Sequence, residues 1–165
     1  AGAHVIDLEL EPAFSSLNEC QATIMAGEGI AHFLPDYLES KAALHPDFIA
    51  KVENASGVTS DMLRKALDHA ALCRIVFDKL FASSLDVVLT PAAPGEAPVG
   101  LTTTGDWVMN SMWTLLHVPC IAIPVDKGPG GCPVGVQIVG PRFGDAALLA
   151  AAEAIAPAID PAPAL

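Results

Sequence analysis

A chain of 165 residues, of which 52% are hydrophobic, is long enough to form one domain with a substantial core. Its net charge of −11 disfavours nucleic acid as a partner, because phosphate binding needs a surplus of Lys and Arg. A membrane helix needs roughly 20 consecutive apolar residues. The best candidate lies near the C-terminus and is interrupted by Glu153 and Pro157, so we expect no membrane segment.

The cysteines show no spacing typical of a metal site. Cys20, Cys73, Cys120 and Cys132 contain no C-x-x-C pair, whereas zinc sites usually place two ligands close together in the sequence. The pattern favours reduced structural thiols over disulfide or metal use, and we predict no cofactor. Residues 1–10 contain acidic residues but no Lys or Arg, which argues against a signal peptide. A cytoplasmic location is therefore expected.

The first part of the chain predicts a strand followed by two helices. Apolar and acidic residues alternate over 4–10, which is typical of a strand. A core strand this close to Ala1 indicates a fragment or a processed product. A helix is expected over 11–34, although Gly27 and Gly29 weaken its middle. A shorter helix is expected over 45–55, with a proline near its start.

The segment 59–84 gives the clearest helical pattern. Thr59, Ser60 and Asp61 can cap free amides at its start. Apolar residues then recur at three- and four-residue steps, which predicts one buried face. That face is expected to comprise Leu63, Leu67, Ala70, Phe77 and Phe81.

From residue 86 onwards, short apolar strands alternate with helices. Strands are expected over 86–91, 120–125 and 134–139, and helices over 107–118 and from Asp145 onwards. A loop rich in Pro and Gly fills 91–105, Asp106 can cap the helix after it, and a frayed tail is expected over 157–165. Near-continuous apolar strands between helices predict an α/β layered fold with both sheet faces covered.

Residues 86–155 carry a series of motifs that resembles the C-terminal part of the amidase signature family. DVVLTPAAPGEAP, TGDWVMNSMWTLLHVPCIAIPV and GCPVGVQIVGPRFGDAALLAAAEAI follow one another in the family's order. Several linked motifs at matching spacings are specific, whereas one alone is not. The resemblance implies an α/β fold, the C-terminal part of a mixed β-sheet sandwiched by helices. Residues 1–165 would then be a single incomplete domain.

The resemblance also implies a reaction on carboxylic amides, either their hydrolysis or the transfer of the amide group. The family uses a Ser nucleophile, a second Ser joined by a cis peptide bond and a Lys base, with backbone amides of a Gly/Ser-rich loop around the oxyanion. This chain has no Gly-Ser-Ser-Gly-Gly stretch, and TTTG and ASS are the nearest to it. We therefore expect no catalytic residue in this chain and no hydrolysis by the chain alone.

The resemblance implies two partners. One is the missing N-terminal half of the amidase domain, and the other is a small amide substrate in the complete enzyme. Exposed apolar sheet surface would also favour self-association. The alternative is a standalone, non-enzymatic binding or interaction domain derived from the amidase scaffold.

Lys79 and Ser83 raise the question of a substitute dyad, because they stand four residues apart on the long helix. A nucleophile also needs a base of lowered pKa and an oxyanion site. The end of an exposed helix supplies neither, so a solvated helix end is the favoured interpretation. His117, near another helix end, is likewise expected to cap or pack and not to act as a base.

A substrate-pocket wall is predicted where the first of the three later strands ends, because α/β folds tend to bind ligands at the carboxyl ends of strands. Asn110 and Trp113 lie three residues apart on one helical face. Asn110 is expected to fix a loop, and Trp113 either lines an acyl pocket or belongs to the core. The predicted wall comprises Thr90, Pro91, Ala93, Pro94, Asn110 and Trp113.

Gly135 and Gln137 are unusual within an apolar strand. Glycine leaves room for a large group to approach the sheet, or marks a simple bulge. A glutamine in such a strand is costly unless its amide is hydrogen-bonded, or else it faces water. The resemblance implies that the missing half of the domain supplies the neighbours of both residues.

Overall fold

The computed structural model describes residues 2–83 and 85–159, which form six α-helices and a three-stranded sheet. The helices are α1 Leu17–His32, α2 Leu34–Ser40, α3 Pro46–Val52, α4 Ser60–Ser83, α5 Val108–Leu116 and α6 Asp145–Ile159. Short 3-10 turns cover Pro12–Ser16 and Lys41–Ala43, and the strands are β1 Val88–Pro91, β2 Cys120–Lys127 and β3 Pro133–Val139. Within these residues, no helix combines the length and hydropathy that a bilayer crossing requires.

The sheet has the order β1-β3-β2, and both neighbours run antiparallel to the central strand. One face packs on α6, where Ile138 contacts the cluster that contains Leu148 and Ala152. The opposite face carries Val139 into the core formed with the other helices. The three predicted strands are therefore neighbours in one sheet with both faces covered, and the predicted α/β class is confirmed.

The main core lies between α1, α4, α5 and the sheet. Phe77 on α4 is fully buried, and its ring lies 5.7 Å from that of Trp113 and 6.1 Å from that of Phe14, measured between centroids. Leu17 of α1 and Leu116 of α5 are also fully buried and belong to the same cluster. Aromatic burial of this kind dominates the energetics of a small core.

The predicted buried face of α4 is rotated relative to the one observed. Leu67 is 36% exposed, so its assignment to the core is wrong. The buried stripe is Ala66, Ala70, Cys73 and Phe77. The small side chains of Ala66 and Ala70 let the backbones of α1 and α4 approach closely. Leu67 follows Ala66 and therefore points about 100° away around the helix, out of the core. The predicted cap is confirmed at Thr59, whose hydroxyl accepts a hydrogen bond from the Met62 amide at 3.2 Å.

Glycines allow α1 to pack closely on its neighbours without breaking the helix. A Cβ added at Gly27 would lie 3.1 Å from the side chain of Leu63 on α4. One added at Gly29 would lie 3.4 Å from the side chain of Lys51 on α3. The helix predicted over 11–34 is thus confirmed in outline, with a 3-10 turn at its start and the separate α2 at its end.

The strand predicted at the N-terminus is wrong. Residues 2–11 have no regular secondary structure, and Ile6 is 47% exposed. A strand needs a neighbour for its backbone amides and carbonyls, and the described sheet pairs no strand with this segment. Only its end reaches the core, where Leu10 packs on the main cluster.

The predicted tail is also wrong in part. The last helix continues through Pro157 as far as Ile159, because a proline near a helix end removes few internal hydrogen bonds. The rest of the predicted tail, residues 160–165, lies outside the described residues.

Gly135 lies opposite a β-bulge. The register between β2 and β3 shifts between Pro124 and Asp126, and Gly135 pairs with Pro124. A Cβ at Gly135 would lie 2.8 Å from the carbonyl oxygen of Ile123, closer than real Cβ atoms approach a backbone. The close neighbour is therefore the bulged strand β2 of the same chain, and the expectation that the missing half supplies it is wrong.

We expect Gly135→Ala to lower the free energy of unfolding by about 1–3 kcal/mol, because overpacking against backbone forces the strands apart. Urea unfolding followed by circular dichroism measures this loss. Gly57→Ala is a useful comparison, since a Cβ there meets no atom within 4 Å and only the positive φ of 64° opposes it. Stability equal to that of the unmodified chain in Gly135→Ala would contradict the close contact.

Candidate substrate-pocket wall

Gln137 joins the end of β1 to α5. Its side chain is 2% exposed, and its amide nitrogen donates hydrogen bonds to the carbonyls of Pro91, at 3.1 Å, and Met109, at 2.9 Å. Both protons of the amide are thus satisfied, as a buried polar group requires. The expected hydrogen bonding is confirmed and a water-facing glutamine is excluded. Its partners come from this chain, so the expectation that the missing half supplies them is wrong.

Asn110 fixes the start of the following loop, as the sequence predicts. Its side-chain nitrogen donates to the Ala92 carbonyl at 3.1 Å. The Ala92 amide in turn donates to the Gly135 carbonyl at 3.0 Å, which continues the pairing with β3 beyond the end of β1. Two amide side chains, one on α5 and one on β3, therefore hold consecutive carbonyls at the strand end.

Trp113 faces the core, the alternative that the sequence left open. It is 6% exposed and packs against Phe77, while Asn110, three residues earlier, is exposed. The indole Nε1 is buried and has no hydrogen-bond partner among the described residues. The spacing predicts one shared helical face for Asn110 and Trp113, but Asn110 faces solvent and Trp113 faces the core.

The other predicted wall residues lie at the end of β1 or just beyond it. Thr90 is half-buried, and its hydroxyl donates to the Pro91 carbonyl at 3.0 Å. Pro91, Ala93 and Pro94 are exposed. The structure thus links the strand end to α5 through Asn110 and Gln137, whereas Trp113 packs in the core.

A small cleft between α1 and the start of α5 is not apparent from the sequence pattern. It measures about 190 Å³ and is lined by Asn18, Asp106, Trp107, Val108 and Ser111. The buried Ser111 hydroxyl donates to the side-chain oxygen of Asn18, and Asp106 accepts from the Val108 amide at 2.9 Å. The predicted cap at Asp106 is displaced by one residue: the N-cap of α5 is Trp107, which makes no side-chain cap bond, and Asp106 before it accepts only from the first amide of the helix. In the sequence, a serine on the apolar face of α5 is the one feature that indicates this cleft. Its partner, Asn18, lies 93 residues away, so the sequence does not identify it.

His117 ends α5 in a left-handed conformation, with φ of 57°. Partial burial, then the nearby positive charges of Arg74 and Arg142, lower its pKa. Arg74 donates to the Leu115 carbonyl at 2.6 Å, and Arg142 pairs with Asp78. The residue therefore sits at a capped helix end, as expected, beside groups that favour neutral imidazole.

The described residues give no support for a substitute dyad, a metal site or a disulfide. The Ser83 side chain, one half of the possible dyad with Lys79, lies outside the described residues. Among residues 2–83 and 85–159, no group of three or more His, Cys, Asp or Glu side chains is placed to hold a metal ion. The four cysteines are free, and burial raises the pKa of the Cys73 thiol.

Comparison with solved structures shows the fold. The chain superposes on 6-aminohexanoate cyclic dimer hydrolase complexed with substrate with a TM-score of 0.71 at 17% identity, covering 94% of this chain and 38% of that one. An amidase crystal structure gives a TM-score of 0.69 at 22% identity, with 87% and 35% covered. A glutamyl-tRNA(Gln) amidotransferase subunit from Thermotoga maritima gives 0.63 at 19% identity, with 87% and 32% covered.

Sequence relatives point the same way. A glutamyl-tRNA(Gln) amidotransferase subunit from Wolinella succinogenes is 33% identical over 101 residues, which is 58% of this chain and 22% of the relative. The corresponding protein from Xanthobacter autotrophicus is 36% identical over 87 residues, 48% of this chain and 18% of the relative. The matches thus span about a fifth of these relatives. The Amidase family model matches residues 39–149, two thirds of the chain, and the chain therefore belongs to the amidase family.

Proposed function

We propose that this chain is the C-terminal portion of an amidase-type hydrolase that cleaves carboxylic amides by a Ser/cis-Ser/Lys mechanism. The observation that carries the proposal is a family match over residues 39–149 in a sequence that contains no Gly-Ser-Ser-Gly-Gly stretch. The catalytic Lys and Ser residues are then supplied by another portion of the amidase domain. The chain contributes part of the sheet and one wall of the substrate pocket.

The geometry of the strand end supports this role. Gln137 and Asn110 hold the carbonyls of Pro91 and Ala92 from two directions, so the wall is ordered before a substrate arrives. Ordering a wall in advance lowers the entropic cost of placing an amide carbonyl against a nucleophile. In this proposal the residues of the wall position the substrate, and none of them transfers a proton.

The exposed surface supports a protein partner that carries the rest of the domain. β1 and β2 each pair only with β3 within the described residues, so each leaves one edge open. Leu89 on the β1 edge is 51% exposed, and Leu149 on α6 is 62% exposed. Open edges with neighbouring apolar side chains are typical of surfaces that another element covers.

Amide hydrolysis tests the proposal directly. We expect the purified chain to release no ammonia from aliphatic or aryl amides. We expect activity when the chain is co-expressed with an amidase portion that carries the Gly-Ser-Ser-Gly-Gly stretch and the Lys. If the chain alone hydrolyses amides, and if this activity co-purifies with the chain in independent preparations, the proposed absence of a nucleophile is contradicted.

A standalone interaction domain is the second candidate function. Its support is a core that is fully buried without any partner, at Leu17, Phe77 and Leu116 among others. Light scattering distinguishes the two candidates. A monomer that refolds reversibly favours the interaction domain, whereas self-association that the complementing portion suppresses favours the amidase portion.

A further inference from the structure

Glu96 makes an unusual contact across the molecule. One oxygen of its carboxylate accepts a hydrogen bond from the Gly130 amide and the other from the Cys132 amide, each at 2.7 Å. These backbone amides belong to the turn between β2 and β3, more than 30 residues further along the chain. Charge-assisted hydrogen bonds of this length are stronger than neutral ones.

The turn is shaped around this carboxylate. A Cβ at Gly128 would overlap Cγ of Glu96, and one at Gly130 would lie 3.0 Å from a carboxylate oxygen. The turn is closed by hydrogen bonds from Gly128 to the Cys132 carbonyl, at 3.0 Å, and from Gly131 to the Gly128 carbonyl, at 2.9 Å. Backbone amides of one turn that point into the same concavity can bind an anion, as the amides of Gly130 and Cys132 do here. Here the anion is supplied by the chain itself.

The loop that carries Glu96 has glycines where its backbone turns. We call residues 95–105 the strap, and it joins the β1 end of the pocket wall to α5. Gly95, Gly100 and Gly105 have φ of 147°, 95° and 98°, a region that other residues rarely adopt. Val99 and Leu101 are fully exposed. Among the hydrogen bonds of the described residues, the two made by Glu96 are those that tie the strap to another element.

We propose that the strap is a hinged segment and that Glu96 is its latch. With the carboxylate seated in the turn, the strap is held against the β2–β3 hairpin. With the carboxylate displaced, the strap rotates about its glycines, and the turn loses the partner of two amides. The inference concerns the motion of this chain alone and does not require hydrolysis.

The test combines hydrogen exchange with limited proteolysis by chymotrypsin. In Glu96→Ala we expect exchange of the Gly130 and Cys132 amides to rise roughly tenfold or more, since both bonds to a charged acceptor are lost. We expect cleavage after Leu101 to accelerate by a similar factor. Glu96→Gln keeps one acceptor oxygen, so a smaller effect is expected.

Gly128→Ala provides a second route to the same state, because it displaces the carboxylate and keeps its charge. Glu153→Ala is the control, since it removes an exposed carboxylate from α6 that makes no hydrogen bond in the described structure. Unchanged exchange at Leu116 shows that the core is intact. If Gly128→Ala and Glu96→Ala leave both turn exchange and strap cleavage at the unmodified rate, the latch is refuted. Faster turn exchange without faster cleavage refutes the hinged strap.

Discussion

Phe77→Ala is expected to lower the free energy of unfolding by about 4 kcal/mol, enough to leave a chain of this size marginally folded. Phe77 is fully buried, and its ring contacts those of Phe14, Phe81 and Trp113. Truncation removes apolar burial and leaves a cavity that four packed elements cannot fill by small shifts. Urea denaturation at low protein concentration, followed by circular dichroism, measures the loss.

Phe143→Ala is the matched control for this substitution. Phe143 is 94% exposed, so the same truncation is expected to change stability by no more than about 0.5 kcal/mol. A loss below about 1 kcal/mol in Phe77→Ala would contradict the central position given to this ring. A large loss in Phe143→Ala would instead show that this exposed ring is covered, for instance by self-association of the chain.

Gln137→Leu is expected to cost about 2–4 kcal/mol, although leucine is the more apolar residue. The substitution removes both hydrogen bonds of the buried amide and leaves the carbonyls of Pro91 and Met109 without their side-chain donor. Chemical denaturation measures the loss, and hydrogen exchange of the Ala92 amide reports the loosening of the strand end.

The comparison is Gln21→Leu on α1, which has the same chemistry. Gln21 is half-buried, and its amide makes no hydrogen bond to the described residues, so we expect a change within about 0.5 kcal/mol. Equal effects at the two positions would show that the bonds from Gln137 contribute little. A stabilised Gln137→Leu variant would refute its role as a bridge between the sheet and α5.

The later part of the fold could be predicted because its signals are local. Runs of β-branched residues bounded by Pro and Gly identify β1, β2 and β3, and Asp106 marks the start of α5. The alternation over 4–10 is an equally local signal, but it predicts a strand only if a neighbour is available to pair with it. The sequence predicts a buried Leu67, whereas the structure exposes it, because the direction of a helix face depends on which residues the adjoining helix can approach.

The candidate site could be predicted only in part. Gln137 and Asn110 were identifiable because an amide inside an apolar segment must find a partner. The sequence did not identify those partners, since Pro91 and Met109 lie far along the chain from Gln137. The contacts of Glu96 and Ser111 are not predictable from the sequence for the same reason. An isolated acid in a loop and a serine in a helix look ordinary until their distant contacts are known.

The clamped carbonyls at the end of β1 have a consequence for how this scaffold can diversify. Asn110 on α5 and Gln137 on β3 each bind one of two successive carbonyls, those of Ala92 and Pro91. Inserting or deleting a residue at 90–92 would therefore move both carbonyls out of register with these side chains. Residues 97–104 carry no such coupling in the described hydrogen bonds. Changes of length are therefore accommodated within residues 97–104, while the peptide groups of Pro91 and Ala92 keep a fixed spacing.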